Sequence, residues 1–163
     1  MDSKCLFFAA IFFCCMLSFY CLRPAYAAQA NDPCSLVTQA QVGAVLGVNV
    51  EAAQRIAPRL CQWSAHNQPN SINAKKVALT ISDEQAFRYA KAPVVSNVKT
   101  MPGSGICDDA VYTVLPGVTP GLGTSLYVKK RSSYFVVHVY GFPEQTKVME
   151  MEKTLALEAC SKL

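Results

Sequence analysis

The stretch that decides the fold is LYVKKRSSYFVVHVY, residues 126–140. Apolar residues recur at every second position on each side of the charged and hydroxyl-bearing residues 129–133. This pattern predicts two antiparallel strands, Leu126 to Lys129 and Tyr134 to Tyr140, joined by a solvated turn. The second strand presents Phe135, Val137 and Val139 on one side and Tyr134, Val136, His138 and Tyr140 on the other. We therefore expect a sheet with one buried face and one amphipathic face.

Three more strands are predicted before this hairpin, over residues 60–64, 76–82 and 109–115. In the second of them Val77, Leu79 and Ile81 alternate with Ala78, Thr80 and Ser82. The segment 48–58 is expected to be a loop that leads into the first strand. The segment 93–106 contains two prolines and two glycines without a clear period, so it is expected to run over the surface.

Three helices complete the prediction. Thr38 and Gln41 form a capping box for a helix over about 39–46, and Gly47 is suited to end it. A second helix is expected at about 84–91. The longest, from Glu144 to about Lys162, carries an apolar stripe of Val148, Met151, Leu155 and Ala159. The sequence thus predicts an α+β domain, an antiparallel sheet of about five strands covered mainly on one face by helices, including the long C-terminal helix.

The N-terminal residues have the form of a secretory signal. Lys4 supplies a positive start, residues 6–22 are almost uninterruptedly apolar, and residues 25–27 read Ala-Tyr-Ala. We expect residues 1–27 to be a signal peptide and residues 28–163 to be a single domain. Cleavage after Ala30 and retention of the leader as an anchor are the alternatives. The expected localisation is export, to the periplasm or the medium.

The eight cysteines divide between these two parts of the chain. Cys5, Cys14, Cys15 and Cys21 lie in the leader, where they act as apolar residues. Cys34, Cys61, Cys107 and Cys160 remain, the even number that two disulfides need in an oxidising compartment. The residues alone leave all three pairings of four cysteines open.

Several short motifs resemble a family of uncharacterised secreted proteins, a domain of unknown function typified by actinobacterial envelope lipoproteins. The motifs are Asp32-Pro33-Cys34-Ser35-Leu36-Val37-Thr38, Cys61-Gln62-Trp63, the segment 105–112 that begins Gly105-Ile106-Cys107, and Leu126-Tyr127-Val128-Lys129-Lys130. They are similar to that family's D-P-C-x-L-L-T start, C-x-aromatic, G-x-G-D-x-A-x-x segment and L-x-V-x-K strand. The resemblance implies a bridge between Cys34 and Cys61. Cys107 and Cys160 depart from the pattern together, and this implies a second bridge between them.

The chain contains no motif that indicates an enzyme. The patterns G-x-S-x-G, H-E-x-x-H and C-x-x-C and a glycine-rich phosphate loop are all missing from the sequence. No metal and no cofactor is predicted, because the cysteines are too far apart for a zinc site and Asp108-Asp109 supply too few oxygens for calcium. The net charge of +4 is spread along the chain, so a nucleic-acid partner is not expected.

Individual residues with catalytic potential have simpler interpretations. His66 lies in a predicted turn, and His138 has no nucleophile or carboxylate beside it in the sequence pattern. Asp108 and Asp109 are adjacent in an extended segment, so they point apart and are better interpreted as turn or edge residues. Trp63 is expected to pack beside a disulfide rather than to stack on a ligand.

The remaining lead is a surface. If the tyrosines share the sheet face that helices leave open, they form an amphipathic platform suited to partners. The candidate partner-binding residues are Tyr127, Lys129, Lys130, Arg131, Tyr134, His138 and Tyr140.

The leading hypothesis is a non-enzymatic secreted or periplasmic binding module for a protein or an envelope component. The alternatives are an inhibitor or immunity protein against an envelope-targeting enzyme, and a carrier of a small apolar ligand between sheet and helix. Membrane contact is expected only through an uncleaved leader, and the sequence predicts no oligomeric state.

Overall fold

A computed structural model describes residues 32–68, 74–94, 97–115, 117 and 123–163. The predicted signal peptide and both proposed cleavage sites lie outside these residues. So do residues 69–71, which follow His66 in the predicted turn, and residues 116 and 118–122.

The helices begin and end where local sequence favours it. After a 3₁₀ turn at Pro33–Ser35, α1 spans Gln39–Leu46, and Thr38 and Gln41 form the predicted capping box. Gly47 ends α1 with φ +66°, a conformation that glycine adopts without strain. Helix α2 spans Glu84–Lys91, and the Asp83 side chain caps it by accepting the backbone N–H of Ala86. Helix α3 spans Gln145–Cys160.

The described residues form one seven-stranded sheet in which all neighbouring strands are antiparallel. The strands are β1 Gln54–Ala57, β2 Leu60–Ser64, β3 Lys76–Ile81, β4 Lys99–Pro102, β5 Asp109–Val114, β6 Thr124–Lys130 and β7 Ser133–Tyr140. Their order is β1-β2-β3-β7-β6-β5-β4, so the last strand of the chain lies at the centre.

The prediction of an antiparallel sheet is confirmed, but the expected number of about five strands is wrong. The two additional strands, β1 and β4, are the edges of the sheet and have four residues each. Every residue of β1 is exposed, and β4 is mostly exposed and ends in Pro102. An edge strand with no buried face lacks the alternation that identifies a strand in sequence, so the sequence predicts a loop over 48–58 and an irregular surface segment over 93–106 instead.

One sheet face, here called the helix face, carries the main core. It contributes the buried residues Cys61, Trp63, Val77, Leu79, Tyr112, Leu126, Val128, Phe135, Val137 and Val139. Helices α1 and α3 pack onto it with Val42, Leu46, Val148, Leu155, Ala156 and Ala159. The apolar stripe of the last helix therefore lies against the sheet, as predicted.

The opposite face, here called the tyrosine face, carries Tyr127, Tyr134, His138 and Tyr140. The strand register aligns Tyr140 with Lys76, His138 with Ala78, and Tyr127 with Val136. Only α2 packs on this side among the described helices. Its Phe87 and Ala90 are buried against Val111, with Tyr127 and Tyr134 at the border.

Both predicted cysteine pairs are confirmed. Cys34 and Cys61 are bonded with a Cα–Cα distance of 5.1 Å, and Cys107 and Cys160 with 6.2 Å. Both distances suit a disulfide. The first bridge ties the 3₁₀ turn to β2, and the second ties the loop before β5 to the last residue of α3. Disulfides of this kind are typical of an oxidising environment outside the cytoplasm.

Candidate functional site

The structure brings most of the predicted partner-binding residues to the tyrosine face. Tyr127, Lys129, Tyr134, His138 and Tyr140 alternate in register along the neighbouring strands β6 and β7. All five side chains are half-buried. They form a mixed surface of aromatic, imidazole and ammonium groups.

Helix α2 occupies one end of this face. The Phe87 and Tyr134 rings lie 5.7 Å apart at a tilt of 50°, and the Lys129 ammonium lies 5.9 Å from the Tyr134 ring centre. Lys91 at the end of α2 pairs with Asp109 of β5 at 2.7 Å. The Tyr134 side chain therefore supports α2 as well as lining the face.

The other end of the face is built around His138. Its imidazole stacks on the Tyr140 ring at 5.9 Å with an angle of 12° between the planes. Ser125 Oγ lies 3.0 Å from His138 Nδ1. Burial lowers the pKa of His138, and a backbone hydrogen bond with Thr124 partly offsets this effect. The ring is accordingly neutral at physiological pH.

Lys130 and Arg131 of the basic turn are engaged by other parts of this same chain. Asp108 accepts hydrogen bonds from the Arg131 backbone N–H at 2.6 Å and from Lys130 Nζ at 3.3 Å. The Arg131 guanidinium donates to the carbonyl oxygen of Leu163 at 3.0 Å. The backbone hydrogen bond from Arg131 is the largest influence and lowers the pKa of Asp108; desolvation opposes it, and the hydrogen bond from Lys130 and the charges of Lys130 and Arg131 lower the pKa further. These contacts fix the turn to the loop before β5 and to residue 163.

A buried carboxyl group, Glu152 of α3, was missed by the sequence reasoning. Its side chain is fully enclosed between α3 and the sheet. Oε1 accepts the Val139 backbone N–H at 3.2 Å and the Thr124 hydroxyl at 3.4 Å, while Oε2 has no hydrogen-bond partner. Burial raises the pKa of Glu152 to about 8, and the hydrogen bonds from Val139 and Thr124 oppose that rise.

A signal for this residue existed in the sequence. Position 152 lies four residues after Val148 and three before Leu155, so it falls within the apolar stripe of α3. A glutamate at such a position is either buried or marks the border of the stripe. The apolar members of the stripe alone do not reveal this glutamate.

Glu152 and His138 approach the same part of the sheet from opposite faces. The residue pairs of β6 and β7 run from Lys130 with Ser133 to Leu126 with Val137 and stop there. Just beyond, Glu152 contacts Thr124 and Val139 from the helix face. On the tyrosine face, His138 contacts Ser125. Ser125 and His138 thus have a hydroxyl–imidazole contact, but Glu152 bonds to neither, so the three groups do not form a serine–histidine–carboxylate relay.

The other residues considered from sequence have structural surroundings. Trp63 is almost fully buried in the main core, where its Nε1 has no hydrogen-bond partner. His66 pairs with Glu51 at the surface. Asp108 and Asp109 bond to different partners, Arg131 and Lys91, and so do not act as a carboxylate pair. Within the described ranges, no three acidic, histidine or cysteine side chains gather as a metal site would require.

Helices long and apolar enough to span a bilayer are not found among the residues that the structure describes.

The chain matches no protein-family model, and neither a curated protein nor a solved structure is significantly similar to it. The resemblance to secreted envelope proteins therefore rests on the short sequence motifs alone.

Proposed function

We propose that this protein is a non-enzymatic, exported binding module that engages a protein or a cell-envelope component through the tyrosine face. The observation that carries the proposal is the placement of Tyr127, Tyr134, His138 and Tyr140 on one face of adjacent strands. Each of these rings has an apolar body and a polar group. Such side chains suit a surface that is exposed to water in the free protein and covered by a partner in the complex.

The support beneath this face is rigid, which reduces the entropy lost on binding. Strand β7 lies at the centre of the sheet, and its other side is packed by Phe135, Val137 and Val139. Two disulfides fasten the surrounding elements. A partner would thus meet a preformed surface in which the Tyr140 ring already stacks on His138.

The proposed contact area is the His138–Tyr140 end of the face. Helix α2 contacts β5 and β6 and shields the Tyr127–Tyr134 end. The charged groups of the basic turn, Lys130 and Arg131, are bonded to Asp108 and Leu163 and are therefore engaged within this chain. Tyr140 is therefore the side chain expected to contribute most to affinity.

Two other functions considered from sequence receive less support. A carrier needs space between sheet and helix, but Val148, Leu155, Ala156 and Ala159 of α3 are fully buried against the sheet. An inhibitor or immunity protein remains a more specific form of the binding proposal. Growth protection against a co-encoded toxin would distinguish that form from a general binding module.

The proposal is tested by capture of partners from the cell-envelope fraction of the native host. Immobilised protein is compared with its Tyr140→Ala variant, and each captured species is then purified and titrated by calorimetry. We expect Tyr140→Ala to weaken binding at least tenfold, as loss of a central aromatic contact does. Tyr89→Ala is the matched control, because Tyr89 is 58% exposed and lies on α2. Equal affinity of the wild type and Tyr140→Ala would refute the proposed surface.

A further inference from the structure

At one end of the β6–β7 ladder, a backbone N–H of β7 is bonded to a side chain of α3 rather than to β6. Leu126 and Val137 form the ladder's last residue pair. In a regular antiparallel ladder the backbone N–H of Val139 would donate to the opposite strand. It donates to Glu152 Oε1 of α3 instead, at 3.2 Å. Thr124, the first residue of β6, donates its hydroxyl to the same oxygen.

The environment of the Glu152 carboxyl group favours its neutral, protonated form. Its second oxygen is buried without a hydrogen-bond partner, and Glu152 takes part in none of the ion pairs found among the described residues. Burial, and to a lesser extent the Glu152 charge, raises the pKa of two phenols, Tyr112 on the helix face of β5 and Tyr140 on the tyrosine face of β7. Strand β6 presents the uncharged Thr124 hydroxyl, and Glu150 on α3 adds a further negative charge near Tyr112.

We propose that Glu152 is a proton-controlled latch, which closes this end of the β6–β7 ladder while it is protonated and releases it when it ionises. A buried carboxylate with one unpartnered oxygen is stabilised when it reaches water. The route to water requires Glu152 to leave Val139 and Thr124, so the charge is accommodated by opening the gap between the strands. This inference is independent of whether the tyrosine face binds a partner.

The latch connects the two faces of the sheet. Successive residues of a strand point to opposite faces. Thr124 on the helix face is followed by Ser125, which contacts His138 on the tyrosine face. Val139 is likewise flanked by His138 and Tyr140. Release of Glu152 therefore loosens the Ser125–His138–Tyr140 group on the other side.

The opening equilibrium has a defined pH dependence. The closed form retains the Glu152 proton up to a pKa of about 8, whereas in the open form the carboxyl returns towards its ordinary value of 4.5. Between these two values the open fraction rises by about tenfold per pH unit, and above the upper value it levels off.

Amide hydrogen exchange of the oxidised protein tests the latch. The exchange rate of the Val139 amide is measured by NMR from pH 5 to pH 9 in wild type and in Glu152→Gln. We expect the wild-type rate to gain a factor of about ten per pH unit beyond the gain in Glu152→Gln below pH 8. The Val137 amide, in the intact last pair with Leu126, should lack this additional gain. Glu150→Gln, an exposed change on the same helix, should behave as wild type.

A second measurement keeps the test decisive if Glu152→Gln does not fold. Carbon-13 labelling of the glutamate carboxyls in the wild type reports the Glu152 titration directly, together with the amide shift of Val139. We expect both signals to change with one common midpoint. Titration of Glu152 below pH 5, or equal pH dependence of the Val137 and Val139 amides, would overturn the proposal.

Discussion

The Asp108 carboxylate accepts a hydrogen bond of 2.6 Å from the backbone N–H of Arg131, joining the loop before β5 to the turn between β6 and β7. Arg131 has φ +53°, an uncommon conformation for a residue with a side chain. The bond from Asp108 helps to hold it. Cys107, next to Asp108, is bonded to Cys160 at the end of α3. Two adjacent residues therefore fix this corner of the molecule, the loop before β5: Cys107 through a disulfide and Asp108 through a charge-assisted hydrogen bond.

Substitution of Asp108 tests this corner. Asp108→Ala should lower the thermal midpoint at pH 7, because it removes the acceptor for Arg131 and the partner of Lys130. Asp108→Asn, which keeps an acceptor oxygen, should have a smaller effect. The folded-state pKa of Asp108 is lowered from 3.8, so its contribution is present above that value and is lost as the pH falls through the lower, folded-state pKa. Wild type and Asp108→Ala should thus converge in strong acid. A constant difference at all pH values would contradict this account.

Phe87→Ala should detach α2 without unfolding the main core. The ring of Phe87 is 5% exposed and belongs to a small cluster separate from the helix-face core. Loss of a buried phenylalanine costs about 3 kcal/mol or more. Denaturant unfolding measures the total, and hydrogen exchange should show the largest loss of protection in Glu84–Lys91. Tyr89→Ala on the exposed side of α2 should change the free energy of unfolding by less than about 0.5 kcal/mol. Similar effects of the two substitutions would argue against α2 being held by Phe87.

The parts of the fold that the sequence predicts well are those where one local cause decides the structure. The capping box of Thr38 and Gln41 is satisfied by residues three positions apart, and the alternation in β7 follows from the burial of one face. The edge strands β1 and β4 depend on backbone pairing with strands already in place, to which their side chains contribute little. No local pattern records such pairing.

The candidate site was predictable only where it follows from strand period. The shared face of Tyr134, His138 and Tyr140 results from alternation along one strand. The position of α2 over Tyr134 is a tertiary contact between residues more than 40 positions apart, and sequence reasoning did not anticipate it. The contact of Glu152 with Val139 likewise depends on where the β6–β7 ladder stops, which the period of neither strand indicates.

Removal of either disulfide should destabilise the protein, and removal of the Cys107–Cys160 bridge should have the larger effect. The bridges join residues 27 and 53 positions apart. In the chain-entropy model these loops correspond to roughly 3.5 and 4 kcal/mol at 25 °C. Cys34→Ser with Cys61→Ser, and Cys107→Ser with Cys160→Ser, should both lower the midpoint of urea unfolding. Single Cys→Ser variants with the partner thiol blocked provide the control. A double variant as stable as wild type would show that its bridge adds nothing to folding.

Two buried groups should give the stability of this protein an opposing pH dependence. Glu152 has a folded pKa of about 8 against 4.5 in the unfolded chain, so its contribution is fully present below 4.5 and is lost as the pH rises to 8. This loss is on the order of 5 kcal/mol. His138 has a folded pKa below 6.5, so its contribution is present above that value and is lost as the pH falls through the folded pKa.

The two groups can be separated by substitution. From pH 8 down to 6.5 the free energy of unfolding should rise, because in this range the folded protein binds the Glu152 proton and the unfolded chain does not. Below 6.5 the unfavourable charging of His138 should reduce that rise. Glu152→Gln should abolish the change between pH 6.5 and 8, whereas His138→Gln should steepen the rise below 6.5. Urea unfolding at half-unit pH steps measures both effects, with Glu150→Gln as the exposed control on α3. Unchanged pH dependence in Glu152→Gln would mean that the buried carboxyl is already ionised in the folded protein.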